Sequence, residues 1–490
     1  MGSLPDSKYI IKTDGYWFVE AHDVDSSKGY VTVSAKGIVN GLSDEPNDGA
    51  DFGPDTYNPS YSGSGIPYTQ TSGIQEAIDY IGSLGGGEIH LNDGTYDITD
   101  APFVSTNWVA GNMPTPGYSS NVETYCQLVL PTVMISATQS KPVMNISIIG
   151  NPASRPGVEG GQASTLSSGG VVIYSKANPT EQGRFVLSSV LPSPFTGHGP
   201  YPSNVSLFLD GVTIMTKAGS NMGGILSYTF VTLTGGKFYI TNDSSNKFPL
   251  TDEINQNAAL FDGNGTSSAW QWRDMIGIQG YQYGWFGGGA HVSIGKLMVD
   301  MCVYGVLQFW DGYYSNFIGD YDVQNTKYFI SSEPNGNPAP VTTLVIVNIV
   351  AGDQQSSGYS YDYEYVFYDQ SNATYIGGLN MIATLSMYNP SYTPNYSITQ
   401  YSKISITHLG LLPNYSVPTV PASGTAQQNN FAFPVNVYIY GGTVTVIDYT
   451  PSGGSATQVG SVTPMTVRLN PGDSITLTYS AAPTWNWVAV

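Results

Sequence analysis

Residues 73–99, GIQEAIDYIGSLGGGEIHLNDGTYDIT, constrain the fold more than any other stretch, because the hydrophobic period changes inside them. Ile74, Ala77, Ile78 and Ile81 recur at helical spacing, and Leu84 closes that apolar face. Gly85-Gly86-Gly87 then stops the helix, since each glycine would lose extra backbone entropy by continuing it. Beyond the glycines the period drops to two. Ile89, Leu91, Tyr96 and Ile98 predict two strand pieces joined by a turn at Asn92-Asp93-Gly94. A single short helix followed by strands predicts a lid laid over the start of a strand stack.

Four motifs in this region carry a family resemblance: Asp48-Gly49-Ala50-Asp51-Phe52-Gly53, Gly73-Ile74-Gln75-Glu76-Ala77-Ile78, Gly86-Gly87-Glu88-Ile89-His90-Leu91 and Gly94-Thr95-Tyr96. Together they resemble the opening of pectate-lyase-like right-handed parallel β-helix proteins, which include polysaccharide lyases, glycosidases and phage tailspikes. The resemblance implies an all-β fold: a single-stranded parallel β-helix with an N-terminal cap helix near 73–84. It covers about fifty residues and bears on fold more than on chemistry.

Composition agrees with many short strands joined by turns. The 490 residues include 36 Tyr, 57 Gly and 31 Pro, and strong helix formers are sparse. Charged residues are only 11% of the chain, and the formal charge of −20 leaves no basic patch to neutralise phosphates, so nucleic acid is excluded as an expected partner. A surface of Tyr, Ser, Thr, Asn and Gln keeps its solubility when carboxylates protonate, which points to a hot or acidic exterior. Cys126 and Cys302 are the two cysteines, and they allow one long-loop disulfide or two buried thiols. No membrane span is expected, and the first residues, MGSLPDSKYII, lack a signal-peptide pattern. Export by removal of a signal or release within virus particles would both fit. Asn145, Asn204, Asn242, Asn264, Asn372, Asn395 and Asn414 stand in N-glycosylation patterns.

Along the chain, residues 1–40 read as a β leader and residues 41–425 as the β-helix. Between about 126 and 415 strand follows strand, interrupted by insertions at 153–170, 242–289 and 331–340. At about 4.8 Å per coil, roughly ten coils are expected. A Pro-rich linker at 413–430 precedes a C-terminal antiparallel β-sandwich at 431–490. Its ending resembles terminal modules of viral fibres, and Trp485 and Trp487 are expected in its core or at a subunit interface.

Familiar catalytic motifs are mostly missing from the sequence. His198 lies in a Gly-His-Gly like that of polygalacturonase-type hydrolases, without the acidic motifs that should precede it, so a turn residue is the simpler reading. Asp320 and Asp322 share a strand face at two-residue spacing, as do Asp362 and Glu364. Lyases resembling this fold use acids to hold calcium and a basic residue to take the proton. Arg273 and Lys296 are the nearest bases for that role; without a lyase activity no cofactor or metal is implied. Trp270, Trp272, Tyr281, Tyr283, Trp285 and Phe286 crowd one Gly-rich insertion, and Phe309, Trp310, Tyr313 and Tyr314 follow. Such rings either stack on sugars or pack the insertion, both being settings rich in Trp and Tyr.

The expected protein is therefore an extracellular or virion-surface attachment protein that binds host-surface polysaccharide or glycoprotein. The tailspike resemblance implies a trimer. The alternatives are a secreted polysaccharide lyase or glycoside hydrolase and a purely structural spike subunit. Because a sixty-residue module buries only about 60% of its unfolded surface, deleting 431–490 should leave a folded β-helix with a changed oligomeric state. Light scattering on the truncated chain checks this, an unchanged oligomer assigning the module to another role.

Overall fold

The structure is a computed structural model that describes residues 9–11, 17–19, 29–36, 50–54, 56, 69–109, 123–131, 144–151, 170–190, 205–227, 231–244, 251–262, 271–287, 292–308, 315–332, 343–351, 364–369, 380–387, 396–397, 403–408, 416–431 and 433–489. Two compact units divide the chain near residue 303. The protein is all-β apart from the helix Ile74–Ser83 and a single 3-10 turn, among the described residues.

In the first unit, one parallel sheet runs Tyr30–Val33, Gly86–Leu91, Met144–Ile149, Val205–Asp210, Val231–Asn242, Gln271–Gln279 and Val292–Asp300. A second runs Glu123–Leu130, Arg184–Ser189, Met222–Ser227, Asn255–Asp262 and Tyr281–Gly287, also parallel. The chain alternates between the sheets, so each of these strands pairs with the strand of the next pass and not with its immediate successor. Early passes carry a third short strand, in the series Gly94–Asp97, Val171–Ser175 and Val212–Thr216, which the twelve-residue strand Val231–Asn242 later absorbs. This arrangement is that of a β-helix-like fold.

In-register pairing stacks like on like. Tyr96, Ile173, Ile214, Ile240, Ile278 and Val299 form one ladder. Leu128, Leu187, Ile225, Leu260 and Trp285 form another. Every member of both ladders is at most 1% exposed. Burial of each large side chain in these ladders contributes about 1.5–3 kcal/mol to the favourable side of folding.

The helix forms as the sequence predicts. Ile74, Ala77, Ile78 and Ile81 are buried. Leu84 is not part of that face: it caps the C-terminus and is 53% exposed. Gly73 opens the helix at φ 86°, and a Cβ there would lie 2.6 Å from the Gly53 amide nitrogen. The side-chain amide of Gln75 accepts from the Val129 N–H (2.8 Å) and donates to the Val129 carbonyl (2.9 Å), mimicking a strand at that backbone. The turn at 92–94 is a corner between sheet positions, since Gly86–Leu91 and Gly94–Asp97 each pair with later strands and not with one another. Tyr30–Val33 already belongs to the main sheet, so the leader expected at 1–40 contributes its last strand to the parallel stack.

The second unit contains the parallel series Ser315–Gln324, Thr343–Ala351, Asn380–Met387 and Lys403–His408. Its companion series is Tyr304–Gln308, Tyr328–Ser332, Tyr365–Asp369 and Tyr396–Ser397. The C-terminal module has two antiparallel sheets. One orders Ala426–Gln428, Ser474–Ala481, Thr443–Thr450 and Thr457–Gly460; the other orders Met465–Leu469, Val435–Tyr440 and Thr484–Ala489. Val435, Val437, Ile447, Leu469, Ile475, Leu477, Trp485 and Trp487 share one core between them. Trp485 and Trp487 therefore seal the module itself. Its packing begins before 431: Ala426–Gln428 is an edge strand, Trp485 Nε1 donates to the Pro418 carbonyl, and Tyr479 Oη donates to that of Pro421. Much of the expected linker is thus part of the sandwich. Cys126 and Cys302 are buried free thiols, each pushed up to about 12 by burial.

Glu76 and Asp79 face the half-buried flank of the helix. Glu76 accepts from the Thr69 and Thr71 hydroxyls, at 2.8 and 3.0 Å, and burial raises its pKa. Burial, with a smaller contribution from the Glu76 charge, pushes Asp79 up to about 7 against the opposing hydrogen bond from Gln75. A carboxyl whose pKa is higher folded than unfolded favours folding while protonated. That contribution is full below the ordinary carboxylate range and is lost as pH rises through about 7. Thermal melts should accordingly show this unit more stable at pH 4–5 than at pH 8. Asp79→Asn should flatten that slope and stabilise at pH 8 by about 1 kcal/mol, a value discounted for partial exposure.

Candidate functional site

The strand Gln271–Gln279 begins with strict alternation: Gln271 and Arg273 are 1% and 0% exposed, while Trp272 and Asp274 face outward. Trp272 is 54% exposed. Its register neighbour on Val292–Asp300 is Ser293, and on the other side the pairing of Gly235 with Arg273 brings Thr234 alongside it. The next outward position holds Asp274 between two glycines. A Cβ at Gly295 would sit 2.6 Å from the Asp274 carbonyl, and one at Gly236 would collide with the Asp210 carboxylate. Asp210 Oδ1 in turn accepts from the Lys237 N–H at 2.7 Å. Beyond the glycines stand Lys237, exposed, and Lys296, half-buried.

The outward face of these strands thus carries an exposed indole, with the acids Asp210 and Asp274 and the lysines Lys237 and Lys296 on neighbouring register positions. Neighbouring strands are about 4.8 Å apart and same-face positions on a strand about 7 Å apart, so these groups fall within the span of a small polar ligand. An indole face supplies apolar contact to ring C–H groups, while the carboxylates accept and the ammonium groups donate hydrogen bonds.

The other sequence candidates fare differently. Tyr281, Tyr283, Trp285 and Phe286 are at most 2% exposed. They are corrected from binding residues to core residues, because a ring with no exposed face cannot stack on a sugar. Arg273 is likewise no proton acceptor. Its guanidinium makes two bonds to Asp262, at 2.7 and 2.9 Å, and others to Gln271 Oε1 and the Leu233 carbonyl. Trp285 Nε1 adds a third bond to the same carboxylate, at 2.6 Å. Asp320 and Asp322 do share the outward face of Ser315–Gln324. Asp320 is exposed, its nearest described partner being Asn348 Nδ2 at 3.5 Å, and Asp322 is half-buried. Tyr321 between them points inward and donates to the Phe329 carbonyl. Trp270, Phe309, Trp310, Tyr313, Tyr314, Asp362 and His198 lie outside the described residues.

Of the glycosylation candidates, Asn145 is exposed on its strand. Asn242 is 2% exposed, and its Nδ2, the atom a glycan would occupy, donates to the Glu253 and Gly280 carbonyls. That excludes it from modification in this fold. Asn204, Asn264, Asn372, Asn395 and Asn414 lie outside the described residues.

A stack of tyrosines in the second unit has no counterpart among the sequence candidates. Tyr304, Tyr328 and Tyr365 are register partners, and Tyr368 packs 4.7 Å from Tyr328. Tyr304 lies 4.8 Å from Tyr328, so the faces of Tyr328 are taken by other rings. Glu364 clasps the stack by accepting from Lys327 and from the Tyr328 hydroxyl, at 2.9 Å each. The Lys327 pKa is raised, chiefly by that bond to Glu364. The stack is a zipper between successive passes. Its signal in the sequence was Tyr opening three successive short strands at matching register.

Among the described residues, no group of three or more His, Cys, Asp or Glu is placed to hold a metal ion, and no helix is long and apolar enough to cross a membrane. No protein-family model, no curated protein and no solved structure matches the chain.

The Arg273–Asp262 pair yields a direct prediction. Arg273→Met strands a buried carboxylate and should cost about 3–5 kcal/mol. Adding Asp262→Asn, which still accepts from Trp285, should restore a good part of it. Denaturant midpoints of the parent and both variants provide the measurement, and equal midpoints would show the pair to be dispensable.

Proposed function

We propose that this chain is an extracellular or virion-surface attachment protein, built on a right-handed single-stranded parallel β-helix of the pectate-lyase-like kind, that binds host-surface glycan. The observation that carries the reading is the outward-facing Trp272, 54% exposed, one register step from Gly236, Asp274 and Gly295. Large rings are costly to leave in water, and Trp285, Trp485 and Trp487 are at most 6% exposed, so Trp272, left 54% exposed next to polar groups, has the character of a contact residue. Sugars meet such a surface by stacking C–H faces on the ring while hydroxyls bond to carboxylates and ammonium groups.

The low content of charged side chains and the raised pKa values of Glu76 and Asp79 support work in an acidic exterior. Homotrimeric assembly belongs to the tailspike resemblance. The enzymatic alternative, a lyase or glycoside hydrolase, keeps one specific support: Asp320 and Asp322 side by side on an accessible strand face.

A glycan array probed with the full chain tests the attachment reading. Trp272→Ala should weaken binding to the best ligand by roughly tenfold or more, the scale of losing about 1.4 kcal/mol or more, while leaving the melting temperature unchanged. Equal binding by parent and variant would remove Trp272 from recognition. Incubation with the bound polysaccharide tests the alternative: new reducing ends or unsaturated products, lost in Asp320→Asn, would make the protein an enzyme.

A further inference from the structure

The C-terminal sandwich presents an outward face of aromatic and polar side chains. The outer face of its three-stranded sheet is organised on the central strand Val435–Tyr440, where Asn436, Tyr438 and Tyr440 point away from the core. Tyr438 is 41% and Tyr440 48% exposed. Register places Arg468 beside Asn436, and Thr466 and Asn486 on either side of Tyr438. Arg468, Thr466 and Asn486 are all exposed.

Three observations separate this face from an ordinary solvated one. Residues 416–490 contain one cationic side chain, Arg468, and it lies here. Their two acids lie elsewhere: Asp473 is 4% exposed and accepts from Tyr449, Ser452 and Asn470, while Asp448 stands on the other sheet. The polar heads on the face are also unengaged, since Tyr438, Tyr440, Asn436, Asn486 and Arg468 make no side-chain hydrogen bond or ion pair with described residues. The module's remaining tyrosines behave otherwise. Tyr449 bonds to Asp473, and Tyr479 bonds to the Pro421 carbonyl.

We propose that this face binds an acidic saccharide through its sugar carboxylate. Tyr438 and Tyr440, about 7 Å apart on one strand, offer ring faces to neighbouring sugar units. Asn436 and Asn486 supply amide donors and acceptors to hydroxyls, and the Arg468 guanidinium pairs with the carboxylate by a two-pronged hydrogen bond. Within residues 416–490 only Asp448 and Asp473 oppose an anionic ligand. The module holds two of the 36 acids, and charges farther than about 8–10 Å are screened in physiological salt. The site is separate from the Trp272 face and does not depend on the reading given to that face.

Calorimetric titration of the full chain with an oligoglucuronate and with its methyl ester tests the assignment. Both oligomers present the same rings, and only the first carries carboxylates. The uronate should bind at least tenfold more tightly than the ester. Arg468→Gln should abolish that preference, and Tyr438→Ala/Tyr440→Ala should weaken both oligomers. Trp272→Ala should change neither, which keeps this outcome distinct from failure of the β-helix site. Because all four substituted positions are exposed, an unchanged melting temperature verifies that the three variants are folded. Equal binding of acid and ester, uronate binding unaffected by Arg468→Gln, or loss only in Trp272→Ala would overturn the proposal. Concentration-dependent self-association abolished by the same substitutions would overturn it too, by giving the face to a second copy of the chain.

Discussion

Parallel strands held in register make every inward position answer to the positions directly before and after it in the stack. The ladder from Tyr96 to Val299 works because each pass offers a large apolar group at the same height and depth. A one-residue slip would turn such a row outward and bring polar residues in, so register is strongly specified wherever a ladder exists. Glycines mark where the backbone approaches too closely for any side chain. At Gly223 a Cβ would meet the Phe185 ring at 2.6 Å, so the aromatic of one pass occupies the space left by the next.

Burial of polar groups follows the same rule of stacking. Asn255 Nδ2 donates to Thr216 Oγ1, to Ser220 Oγ and to the Met222 carbonyl, while Tyr281 Oη meets Thr216 and the Thr241 carbonyl. Unmatched, each such group would cost about 1–3 kcal/mol. The Arg273–Asp262 pair is the extreme case, two full charges at 0% exposure. Its desolvation is offset only because the carboxylate receives three donors and the guanidinium reaches Gln271 and Leu233 as well.

Much of this was legible in the residues. The change of period in residues 73–99 placed the helix, its buried face and the following strands, because helix and strand leave different spacings of apolar residues. Spacing also recorded that Tyr281, Tyr283 and Trp285 share a face, yet a period of two cannot say which face is buried. Ring-rich alternation reads alike from either side. The same holds for Arg273: its neighbours Trp272 and Asp274 are outward, and one step of parity separates a solvent-facing base from a sealed ion pair. The tyrosine zipper was hidden because its members are dozens of residues apart, joined only by a register that loop lengths obscure. The sandwich was read one strand late at its start, since Ala426–Gln428 has no apolar alternation to announce it.

The division of labour between faces also decides which positions are free to meet a ligand. Inward rows supply the cohesion, so an outward position on a middle strand is held rigidly by its neighbours while contributing little to the core itself. Trp272 and Tyr438 both occupy such positions, each flanked by hydrogen-bonded strands on two sides. A ring mounted in this way loses little backbone freedom when it meets a ligand, which lowers the entropic cost of binding. Outward side chains can then change with the ligand while the ladders behind them stay fixed. An architecture that stores its stability in repeated inward rows therefore leaves its surface chemistry free to follow the partner.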